Sequence, residues 1–179
     1  MPSYAVLLRG VNLGPKRKVP MARLRELLSG MGFDDVRTLL QSGNAVLRAS
    51  ATTPAALAEA IEQALEAEFG MRIGVVVRTG PELDAVIAAH PLADVADNGS
   101  RMMALFLSAD PDPAALAAFD PIELDPDRVR IGDRVVYQWC PDGVLKAPDI
   151  ATPMARKWGV TVTGRNWNTV TKLAVMLAD

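Results

Sequence analysis

Three short stretches of this sequence are apolar at every position: residues 5–8 (A-V-L-L), 75–77 (V-V-V) and 102–107 (M-M-A-L-F-L). A strand with one wet face alternates apolar and polar residues, so such runs predict strands buried on both sides. The chain must therefore build sheets whose two faces are both covered.

The pattern around these runs supplies the helices. Met21, Leu24, Leu27, Leu28 and Met31 recur at three- and four-residue spacing behind Pro20, and Leu57, Ile61, Leu65 and Phe69 do so behind Thr53-Pro54. Each reads as a helix with one buried face, opened by a residue suited to a first turn. Residues 36–40 and 45–49 read as strands joined by a tight turn at Ser42-Gly43-Asn44, since glycine and asparagine tolerate positive φ. With strands over 4–9 and 73–77, the order is β-α-β-β-α-β, the split arrangement of a ferredoxin-like module, or alpha-beta plait.

A connecting helix over 81–89 follows, and the order then repeats. Strands are expected over 102–107, 128–131, 135–139 and 160–163, with helices over 112–119 and 153–158 and an additional helix at the end. The fold class is α+β: two ferredoxin-like modules in one chain plus a C-terminal helix. Residues 1–79 form the first module, and residues 80–179 the linker helix, the second module and the final helix. The two halves share little at residue level, so the duplication is read from element order. The helices of such a module cover one face of its sheet, and the sister module or a second subunit is expected to cover the other.

The 179 residues, 50% hydrophobic and 22% charged, describe an ordinary globular chain. The single cysteine, Cys140, excludes an internal disulfide and a cysteine cluster for zinc, which fits a reducing, cytoplasmic compartment. No apolar run approaches bilayer length and residues 5–8 are too short for a signal-peptide core, so no membrane partner is expected. The net charge of −2 hides a segregation: residues 1–48 carry eight Lys/Arg against three Asp/Glu, residues 49–149 seven against seventeen, and residues 150–179 four against one. The ends suit an anionic partner, while the acidic middle argues against broad nucleic-acid binding.

Polar motifs mark where a site would sit. The first loop reads R-G-V-N-L-G-P-K-R-K over residues 9–18; its spacing is not that of a phosphate-binding Walker loop, and Pro15 removes an amide donor. In the split topology this loop and the Gln41-Ser42-Gly43-Asn44 turn emerge at one end of the sheet. Arg9, Asn12, Lys16, Gln41, Ser42 and Asn44 would then converge into a pocket with a cationic side, suited to a phosphate or other oxyanion. Near the C-terminus, R-N-W-N-T opens the last helix. Asn166 is explained as its cap and Trp167 as an anchor, which leaves Arg165, Asn168 and Lys172 as further candidates at a helix N-terminus. His90 is expected to meet the last carbonyls of the connecting helix, Cys140 to be a buried thiol, and the aspartates among the prolines of 110–127 to cap turns. No cofactor motif and no metal-ligand spacing is present.

The opening Y-A-V-L-L-R-G-V-N-L-G-P-K-R-K-V-P-M, the turn Q-S-G-N and the closing R-N-W-N-T-V-T-K-L together resemble the bacterial family named as domain of unknown function 1697. That resemblance implies a duplicated ferredoxin-like architecture and no particular activity. The chain departs from the family at Pro15, where a glycine is usual, and at V-L-K-A-P-D after C-P-D-G, where a serine-lysine pair is common. The expected function is binding of a small phosphorylated or nucleotide-like anion. The alternatives are an enzyme acting on such a ligand, with Lys16 or Arg165 stabilising charge, and an interaction module whose polar motifs only fix loops. A general RNA-recognition sheet is disfavoured, since the first and third strands lack exposed aromatics for stacking; a homo-oligomer is compatible with all three readings.

Overall fold

Main-chain pairing sorts the strands into two four-stranded antiparallel sheets in the computed structural model, which describes residues 1–179. The first contains β1 (Ser3–Leu8), β2 (Asp34–Leu39), β3 (Asn44–Arg48) and β4 (Val75–Thr79), in the order β2-β3-β1-β4. Helix α1 (Met21–Gly30) joins β1 to β2, and α2 (Pro54–Phe69) joins β3 to β4. Strands β1 and β2 both run antiparallel to β3 between them, the split β-α-β topology expected. Thr53 caps α2 by accepting from the Ala56 amide at 3.1 Å, with Pro54 in the first turn.

The second sheet repeats the plan. It consists of β5 (Met102–Leu107), β6 (Val129–Ile131), β7 (Val135–Trp139) and β8 (Val162–Asn166), in the order β6-β7-β5-β8. The helices are α3 (Gly80–Ala88) before it, α4 (Pro113–Ala118) and a short α5 (Pro121–Leu124) between β5 and β6, α6 (Ala151–Trp158) between β7 and β8, and α7 (Trp167–Ala178) at the end. Residues 121–124 were not expected to be helical; Asp120 caps them by accepting from the Ile122 amide at 2.9 Å.

By contacts the chain divides into two compact units, Met1–Leu83 with Leu173–Asp179, and Asp84–Lys172. In the first, Tyr4, Val6 and Leu8 of β1 pack with Leu24 and Leu28 of α1 and Leu57, Ile61 and Leu65 of α2. Ala5 and Leu7, on the opposite face of β1, are buried as well. In the second, Leu105 and Leu107 of β5 pack with Met154 and Trp158 of α6, and Ala104 and Phe106 are likewise buried. The absence of alternation in these runs therefore reflects burial on both faces.

The last strand of each module lies two residues or so further along than apolar content suggests. Val75–Thr79 replaces the expected 73–77, and Val162–Asn166 replaces 160–163. Both end on a buried arginine followed by a capping residue. Arg78 stands opposite Ala5 and Arg165 opposite Ala104, with 3% and 6% of their surfaces exposed. Thr79 then accepts from the Glu82 amide at 3.2 Å, and Asn166 from the Thr169 amide at 3.0 Å, so each strand passes directly into a helix. The additional C-terminal helix thus has a counterpart in α3, and the duplication extends to residue level where the sequences share little else. The ends of the central strands match too: Leu8 and Arg9 donate to the carbonyls of Gly43 and Gly74, as Leu107 and Ser108 donate to those of Arg134 and Thr161.

The end of α7 belongs to the first unit. Arg37 of β2 donates to the Met176 carbonyl at 2.8 Å and Arg48 of β3 to that of Asp179 at 2.8 Å. Two arginines thereby satisfy orphan carbonyls at the negative end of the helix.

Candidate anion-binding site

The first loop and the β2-β3 turn meet at one end of the first sheet, and Asn12 joins them. Its backbone is left-handed, at φ 57°, a conformation asparagine tolerates. From there the side-chain amide imitates a peptide unit: Oδ1 accepts from the Val19 amide at 2.9 Å, while Nδ2 donates to the Val19 carbonyl at 2.9 Å and to the Gln41 carbonyl at 2.7 Å. The loop is closed again by the Asn12 amide, which donates to the Arg17 carbonyl at 3.0 Å.

Arg17, not singled out from the sequence, is a second clamp. Nε donates to the Gly10 carbonyl and Nη2 to the Arg72 carbonyl, both at 2.9 Å. It lies between two lysines in a basic run, where residue type alone gives no sign that one cation serves the backbone and its neighbours do not. On the turn side Asn44 is fully buried and donates through Nδ2 to the Leu39 carbonyl at 2.8 Å and to Ser42 Oγ at 3.0 Å. Gly43 has φ 90°, and a Cβ there would lie 2.8 Å from Val11 Cγ2 and 2.9 Å from Leu8 Cβ. Only glycine fits where the turn presses on the start of the first loop.

The expected residues of this end therefore divide by role. Asn12 and Asn44 hold backbone and bring the two loops together. Arg9, Lys16, Gln41 and Ser42 are exposed, as is Lys18, and no ion pair of the fold involves Arg9, Lys16 or Lys18. No Asp or Glu occurs before Glu26. The amides of Leu13, Gly14 and Lys16 make no hydrogen bond within the chain. A rigid loop base carrying solvent-facing cations and amide donors is suited to an oxyanion.

Arg165, Asn168 and Lys172 lie in the second unit. Arg165 is buried and donates through Nη1 to Thr163 Oγ1 and to the Gly164 carbonyl, each at 2.8 Å. Burial brings its pKa down to about 10, so the guanidinium remains charged at neutral pH. Asn166 caps α7 as expected. Trp167 donates its amide to the Gly99 carbonyl at 3.0 Å, and its ring lies 4.3 Å from that of His90 and 6.3 Å from that of Tyr137. Asn168 and Lys172 are exposed. Asn168 stands so close to Gly99 that a Cβ there would fall 2.1 Å from Oδ1.

The His90 amide meets one of the last carbonyls of α3, donating to that of Ile87 at 3.3 Å, while in the ring Nδ1 accepts from the Leu92 amide at 3.3 Å and the imidazole stacks on Tyr137. Pro91 forces the chain to turn there, and the ring folds back over that turn. Burial lowers the pKa of His90. Cys140 is buried, and burial together with the Asp125 carboxylate pushes its thiol up to about 11. Asp112 caps α4 through the Ala115 amide at 2.7 Å, and Asp110 accepts from the Arg134 amide at 2.7 Å. No group of three or more His, Cys, Asp and Glu side chains is arranged to hold a metal ion. No helix is long and apolar enough to cross a membrane.

Fold and site together define a duplicated ferredoxin-like α+β protein. The chain belongs to the family described as protein of unknown function (DUF1697), whose model matches residues 1–137. The match takes in the first loop and the Q-S-G-N turn and ends before Arg165. No curated protein matches the chain. Among solved structures, it is similar to the conserved bacterial protein SP0830 from Streptococcus pneumoniae, with a TM-score of 0.68 and 22% identity over 100% of this chain and 99% of that one. That likeness is one of fold.

Proposed function

We propose that the protein is a cytoplasmic binder of a small phosphorylated or nucleotide-like anion, held where the first loop meets the Gln41-Asn44 turn. The observation that carries this reading is the bond from Asn12 Nδ2 to the Gln41 carbonyl at 2.7 Å, which fixes two loops side by side while their cations stay exposed. Arg9 and Lys16 supply charge, Gln41 and Ser42 supply polar contacts, and the amides of Leu13, Gly14 and Lys16 complete the donor set. Asn12 and Asn44 position these groups. The α7 start is a secondary place for an anion, because Arg165 is buried against its own strand while Asn168 and Lys172 remain exposed.

The test is a thermal-shift screen of nucleotides and sugar phosphates on the wild type, Lys16→Ala and Arg165→Ala. The expected result is stabilisation of the wild type that Lys16→Ala removes. Stabilisation surviving Lys16→Ala would refute the first-loop site, and no stabilisation by any compound would refute anion binding.

A further inference from the structure

Two leucines stand where the fold leaves much of their apolar surface in water. Leu13, at the tip of the first loop, is 84% exposed, and Leu40, in the β2-β3 turn, is 52% exposed. Leu40 is also held at φ 61°, a left-handed conformation that disfavours any L residue with a bulky side chain. Neither the hydrophobic effect nor turn geometry favours leucine there; asparagine or glycine would serve the turn better. The two residues directly adjoin the pair that joins the loops, since Leu13 follows Asn12 and Leu40 precedes Gln41. Two exposed leucines from separate loops thus adjoin in sequence the junction near which Arg9, Lys16 and Lys18 are exposed.

Resting on the reading above, we infer that the ligand of this site is an amphiphilic anion, a phosphate joined to an apolar body that covers Leu13 and Leu40 while its charge meets the loop cations and amides. A free phosphate or a sugar phosphate would leave both leucines wet. Covering them withdraws apolar surface from water and offers the binding advantage that the bare anion lacks. The apolar body is a nucleobase or an alkyl chain, two sources of one chemistry.

Calorimetric titration of the full chain with inorganic pyrophosphate, ADP and n-octyl phosphate tests this. The wild type is expected to bind one of the two amphiphiles about tenfold more tightly than pyrophosphate. Which amphiphile gains identifies the apolar body. In Leu13→Ala/Leu40→Ala the advantage over pyrophosphate should disappear; both positions are exposed, so the fold is undisturbed. Equal affinity for all three probes, or an advantage that survives the double substitution, overturns the inference while leaving the anion site standing. Failure of every probe to bind overturns the anion site itself, and the inference with it.

Discussion

Replacing Asn12 by alanine removes three hydrogen bonds and leaves an alanine at φ 57°. Two of the bonds are partly buried and reach both polar groups of Val19, a residue with no exposed surface; each is worth about 1 kcal/mol, and the more exposed bond to Gln41 about half that. The left-handed backbone adds roughly 1 kcal/mol for a residue with a Cβ. Asn12→Ala should therefore lower stability by about 3.5 kcal/mol, and Asn12→Gly, which relieves only the backbone contribution, by about 2.5 kcal/mol. Urea unfolding followed by circular dichroism measures the total, and it suits the first unit because all three tryptophans, Trp139, Trp158 and Trp167, lie in the second. Hydrogen exchange at the Val19 amide, which loses its acceptor in either variant, locates the damage. An Asn12→Ala protein within about 0.5 kcal/mol of wild type, with Val19 still protected, would refute the clamp.

Gly43→Ala should cost about 3 kcal/mol, from strain at φ 90° and from a methyl group forced against Leu8 Cβ and Val11; an unchanged melting temperature would contradict the close approach. The pKa values of Cys140 and Tyr137 are both raised by burial, so each stays protonated in the folded chain after the unfolded chain has released its proton. Their contribution to stability is full below the ordinary values of 9.0 and 10.0 and declines as the pH rises, through about 11 for Cys140. Urea midpoints that hold steady or rise over that alkaline range would count against this burial. Consistently, the Cys140 thiol should resist a disulfide reagent until the chain unfolds.

Element order was legible because it rests on features one residue type can carry: the spacing of Leu57, Ile61 and Leu65, the proline behind Thr53, the glycine in Q-S-G-N. The ends of β4 and β8 were not, because apolar content stops at Val77 and Val162 whereas the strands continue through an arginine. Nothing in residue type reveals that Arg78 and Arg165 are buried; only their register opposite Ala5 and Ala104 does. The meeting of the first loop with the turn followed from topology alone. The division of labour within it did not, since Asn12 and Asn44 carry the same polar groups as a ligand-binding residue and differ only in where those groups point. Arg17 shows the same limit, a cation that bonds to two carbonyls amid a run whose other members face solvent.

The most direct measurement is the amide spectrum of isotope-labelled protein titrated with inorganic pyrophosphate. Shifts confined to residues 9–18 and 41–44, strongest at Leu13, Gly14 and Lys16 and lost in Lys16→Ala, are the predicted result. Shifts concentrated instead at residues 165–172, or a spectrum that does not move, would contradict a site at the meeting of the first loop and the Q-S-G-N turn.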